Sequence, residues 1–128
     1  MSTIDWDVVI PERVDAGEAW LSERRPGWQQ LVDLSKLSMM HGCRCIIGQV
    51  AGAADPQIEF SDIFEEHPAY TLHAEDRRAA LALLGLEAPL SLDEAIEMGF
   101  TLESISSPGL WARLQREWEH RIEARWAA

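Results

Sequence analysis

The stretch 107–127, SPGLWARLQREWEHRIEARWA, decides the fold class. Ser107 offers a capping oxygen, and Pro108 takes the first helical position, where its missing N–H leaves no bond unmade. Trp111, Leu114, Trp118, Ile122 and Trp126 then recur every three or four residues, the spacing of one helical face. Glu117 and Arg121 stand four apart in the favourable order. From 108 to 126 such a helix runs about 28 Å. Three tryptophans on one stripe carry a large apolar load, which points to a core. Trp126, at the outer end, is also a candidate contact for a partner or a second copy.

Working upstream, Ser91-Leu92-Asp93-Glu94 reads as a capping box opening a short helix that stops at Gly99. Phe100-Thr101-Leu102 reads as a short strand or an extended stretch. A helix over 72–84 is expected, with Leu81 and Leu84 inward and Gly85 as its stop. Ser38 is placed to cap a helix over 39–51, built on Met39, Met40, Cys43, Ile46, Ile47 and Val50; a buried strand over 45–50 competes with it. Leu31, Leu34 and Leu37 suggest a tight turn. Near the start, Pro11 suits the first position of a helix placing Val14, Gly17, Trp20 and Leu21 on one face, with Arg24 and Arg25 at its end and Pro26-Gly27 stopping it. Residues 1–10 read as a short mixed segment holding at most a turn of helix. The expected fold is therefore mainly α: one domain over 1–128, a compact bundle of about five helices with short 3-10 turns and room for one small extended pair.

Charge is the second strong signal. The chain has 22 acidic and 11 basic side chains, a formal charge of −11. Residues 52–107 alone hold twelve acids and two bases, so the middle of the chain makes most of the field. Such a field opposes phosphate backbones and anionic membranes, and it favours basic protein partners. Asp62, Glu65, Glu66, Asp93, Glu94 and Glu97 are the candidate contacts, and a surface imitating nucleic acid is a special case of the same idea. A solvated acidic face with no partner is the plainer alternative. Arg113, Arg116, Arg121 and Arg125 form a basic strip expected on the outer face of the last helix. Three interleaved glutamates weaken it as a nucleic-acid contact, and direct nucleic-acid binding is not expected.

His41-Gly42-Cys43-Arg44-Cys45 is the one constellation with chemistry. Imidazole and thiolate are good zinc ligands. On a helix, His41 and Cys45 share a face while Cys43 points away, so a metal would need further ligands such as His67 or His73. The same pair, with Arg44 lowering a thiol pKa, also suits a thiol-dependent enzyme. No oxyanion site or third catalytic member accompanies it, so the reading leans away from an enzyme and expects no cofactor beyond that zinc alternative. Cys43 and Cys45 are too close in sequence for an unstrained disulfide. The opening MSTIDWDVV has no basic segment leading into an apolar run, and no stretch reaches bilayer length. A reducing cytoplasmic setting, with no membrane contact, is the expectation.

Pro26-Gly27-Trp28, Val32-Asp33-Leu34 with Leu37, Cys45-Ile46-Ile47-Gly48-Gln49-Val50 and Met98-Gly99-Phe100 follow one another in an order that resembles small uncharacterised proteins of actinobacteria and their phages. The resemblance spans most of the chain, with 52–72 the least similar part. It implies a phage-encoded accessory protein and no particular reaction. The functional expectation is a non-enzymatic interaction protein that meets a basic partner through 52–107. The alternatives are a metal- or thiol-dependent enzyme at His41 and Cys45, and a homo-oligomeric module, such as a homodimer, using the tryptophan helix.

Overall fold

Helix α1 (Trp6–Arg24) begins five residues before the proline that the sequence suggests as its start. The computed structural model describes residues 4–41, 44–53, 81–86, 90–103 and 106–127, with the backbone of 64–65. Asp5 is the reason for the early start, since its carboxylate accepts the Asp7 N–H at 3.1 Å. Pro11 then lies inside the helix and forfeits one bond, to the carbonyl of Asp7 in an exposed first turn. Ile10, Val14 and Leu21 are buried along one face. The Arg25 N–H folds back to the Leu21 carbonyl at 2.7 Å. Gly27, at φ +81°, turns the chain into a 3-10 helix over Trp28–Leu31, where Trp28 is buried.

The next helix differs from its sequence reading. Helix α2 (Ile46–Gly52) is seven residues long, where a helix over 39–51 was expected. Ser38 does not cap it: its hydroxyl lies 2.5 Å from His41 Nδ1, and the segment after it closes as turns, with the Cys45 N–H reaching the His41 carbonyl at 2.9 Å. Cys45 is the cap, its sulfur accepting the Gly48 N–H at 3.3 Å. The alternative strand over 45–50 is thereby overturned. Gln49 ties the preceding loop down: its Oε1 accepts the Asp33 N–H at 2.6 Å, and its Nε2 donates to the carbonyls of Asp33 and Arg44.

Strands β1 (Phe64–Glu65) and β2 (Leu90–Ser91) make one parallel pair, Phe64 opposite Leu90 and Glu65 opposite Ser91. Among the described residues the small extended pair is here, and not at 45–50 or 100–102, where Phe100 and Leu102 are buried outside any strand. Residues 81–83 are helical, Leu81 and Leu84 are buried, and Gly85 takes φ +69° at the stop. Arg24 closes that end, donating to the Leu84 and Gly85 carbonyls at 3.1 and 3.3 Å. Helix α3 (Leu92–Glu97) opens on the full Ser91–Glu94 capping box.

Helix α4 (Pro108–Ala127) opens at the expected residue, with Ser107 Oγ accepting the Leu110 N–H. It buries Leu114, Trp118 and Ile122 against α1. Gly17 makes the approach: a Cβ there would lie 2.1 Å from the Met98 carbonyl oxygen and 2.9 Å from the Trp118 ring. Trp118 donates its indole N–H to the Gly99 carbonyl at 2.6 Å, so the group is buried without leaving a polar atom unmet. Trp28 meets it edge-on at 5.9 Å and Phe100 stacks on it at 5.6 Å, while Trp20 packs edge-on against Phe100. The fold is a compact, mainly helical bundle whose centre is this aromatic cluster. No helix among the described residues is long and apolar enough to cross a membrane.

Candidate functional site

The four arginines of α4 are placed differently from the expected outer strip. Arg121 reaches across to Asp15 and Glu18 of α1, the latter at 2.6 Å, and holds Glu117 of its own helix at 2.8 Å. Arg125 holds Glu18 at 2.6 Å, and Arg113 pairs with Asp7. Three of the four thus turn toward α1 because acids of that helix stand opposite them. Burial opposes the charge on Arg121, but hydrogen bonds to Asp15, Glu18 and Glu117 outweigh it and raise its pKa further above the ordinary value. Arg116 alone stays exposed with no ion pair among the described residues.

A second long-range link joins Arg13 of α1 to Glu103 at 2.8 Å, ninety residues apart. Burial pushes the Glu103 carboxyl up, yet the Arg13 hydrogen bond, a backbone hydrogen bond and the Arg13 charge together hold it below the ordinary value. The Arg13 guanidinium also lies 5.4 Å over the Trp6 ring. Its Nη1 is buried with no hydrogen-bond partner among the described residues. Beside this link is an open groove of about 520 Å³, walled by Ile4, Trp6 and Leu110 and rimmed by Glu103 and Arg113. Both rim charges are already paired, so the groove offers a ligand mainly apolar wall.

The histidine–cysteine pair does not share a helical face. His41 is exposed in the turn beside Ser38, while Cys45 is 1% exposed and gives its sulfur to the start of α2. The premise of a common face fails because the helix begins after both residues. Cys43, His67 and His73 lie outside the described residues. Among the described residues no group of three or more His, Cys, Asp or Glu side chains is placed to hold a metal ion.

The acidic candidates divide. Asp62 and Glu66 lie outside the described residues, and Glu65 is placed by its backbone in β1, opposite Ser91. Asp93, Glu94 and Glu97 are exposed on α3, immediately after that pairing. Glu94 serves the capping box, with Oε1 accepting the Ser91 N–H and hydroxyl at 3.3 and 3.1 Å. Asp93 and Glu97 make no ion pair among the described residues. Trp126 is 43% exposed, and its indole N–H is bound to the Gln29 carbonyl at 3.1 Å. The tryptophan stripe thus splits: Trp118 is core, Trp111 is half-buried and Trp126 is the most exposed of the three.

The sequence reading missed Gly17 as a helix contact, the Arg13–Glu103 link and the groove. A glycine centred in an apolar face was the available signal for the first. Nothing in the sequence signals the other two, which join segments far apart in the chain. Comparison with known protein families, with curated proteins and with solved structures finds no match to this chain.

Proposed function

We propose that this is a non-enzymatic interaction protein whose acidic surface around α3 contacts a basic protein partner. One observation carries the reading. The β1–β2 pairing brings the backbone of Glu65 beside Ser91, so two separate parts of the acidic 52–107 stretch come together at the start of a helix whose own Asp93, Glu94 and Glu97 are exposed. Trp126 is an apolar contact apart from that surface in this reading. Basic side chains would meet these carboxylates in solvent, so their contribution lies more in steering and orientation than in tight affinity. A phage-encoded accessory role fits a small binding protein of this kind.

The test is titration with poly-lysine at low and physiological salt. The comparison is between Asp93→Asn/Glu97→Gln and Glu12→Gln/Glu23→Gln, which removes two exposed charges from α1 instead. The α3 variant is expected to bind about five- to tenfold more weakly, with the α1 variant within about twofold of the parent. Equal weakening of both would mean that net charge, and not a surface, attracts the polymer.

A further inference from the structure

The two faces of α4 handle charge differently. Toward α1, Arg113, Glu117, Arg121 and Arg125 are all in ion pairs. Away from α1 stand the exposed Arg116, His120 and Glu123 and the half-buried Glu119, none of them in an ion pair among the described residues. Their order runs cation first and anions last. Cation before anion is the weaker order for a pair within one helix, and Arg116 and Glu119 make no such pair.

The order does serve an antiparallel neighbour. We infer that this face of α4 pairs with the same face of a second copy, the two helices antiparallel about a two-fold axis level with Trp118. At 1.5 Å of rise per residue, each Arg116 then lies within about 2 Å in height of the other copy's Glu119 and about 5 Å of its Glu123, on the same side of the contact. The two-fold axis makes the same pairs twice, as an isologous interface requires. The exposed small residues Gly109 and Ala112 fall level with Ala127 and Ala124 of the other copy, so the ends admit close approach. The two helix dipoles oppose each other, which also favours this direction.

The contact runs about 27 Å along one helix and is polar at its centre. It belongs with small, reversible interfaces and not with obligate ones. The self-repulsion of a −11 chain acts mostly beyond the contact, so physiological salt screens it more than it screens the touching pairs.

Sedimentation velocity at physiological salt, from micromolar to millimolar protein, tests the pairing. The parent is expected to show a concentration-dependent dimer. Arg116→Glu alone and Glu119→Arg/Glu123→Arg alone should each remain monomeric, with melting curves confirming that both fold. Mixed together they should form a heterodimer, because every reversed charge then faces its opposite. A parent that stays monomeric to millimolar concentration, or an Arg116→Glu variant that dimerises like the parent, would overturn the inference. So would two monomeric variants that fail to associate when mixed. None of these outcomes bears on the α3 surface, whose poly-lysine test uses different residues.

Discussion

Acids on α1 and acids on α3 are the same residue types doing different things. In the seam between α1 and α4, Asp7, Asp15 and Glu18 each face an arginine, and Glu18 is largely buried by two of them. On α3, Asp93 and Glu97 stand exposed with no ion pair among the described residues. An acidic count therefore overstates the surface available to a partner. What matters is which carboxylates the fold has already matched with cations. Substitutions in the seam should be read in stability, and substitutions on α3 in binding.

The sharpest break in the seam is at its centre. Trp118→Ala removes a buried indole and orphans the Gly99 carbonyl, and is expected to cost about 4 kcal/mol of unfolding free energy in denaturant titrations. Gly17→Ala comes next. A better helix former is gained, worth about 1 kcal/mol, but the new methyl meets the Met98 carbonyl and the Trp118 ring, so a net loss of about 2 kcal/mol is expected. A stabilised Gly17→Ala protein would show that the helices can part without loss. Arg121→Met should cost about 1–2 kcal/mol, since it leaves the largely buried Glu18 with Arg125 alone.

Acid should act on the Arg13–Glu103 link. The folded state holds Glu103 below its ordinary value, so its contribution is full above the unfolded pKa and fades as pH falls through the folded one. Thermal melts of the parent and Glu103→Gln should differ at neutral pH, with the gap beginning to close only as pH falls below the ordinary glutamate value of about 4.3. A gap that stays constant into acid would exclude this linkage. The smallest stability effect is expected on α3: Asp93→Asn/Glu97→Gln should stay within about 0.5 kcal/mol of the parent, as exposed changes do.

Local signals carried most of the legible fold. The last helix, the Ser91 capping box, the buried Leu81 and Leu84, and the glycine stops at Gly85 and Gly99 each rest on a few neighbouring residues. The misreadings have non-local or competing causes. Ser38 had the right chemistry for a cap, but its hydroxyl meets His41, and Cys45, a weaker acceptor, caps α2 instead. Asp5 set the start of α1 over the stronger punctuation of Pro11. The arginines of α4 were read as an outward strip because their acidic partners lie on α1, about a hundred residues away. Of the candidate site, the exposure of Asp93 and Glu94 was legible from their place in the first turn of α3, whereas Glu97 is that helix's last residue. The juxtaposition of Glu65 with Ser91 was not, because a two-residue parallel pairing leaves no periodic trace.

The central claim is that a basic partner meets the α3 surface and not acidic charge at large. Backbone amide NMR of the labelled protein, titrated with a short oligolysine, tests it residue by residue. The account predicts shift changes concentrated over 90–98, with Glu12 and Glu23 of α1 little affected despite their exposure. Changes spread evenly over the exposed acids of α1, α3 and α4 would contradict it.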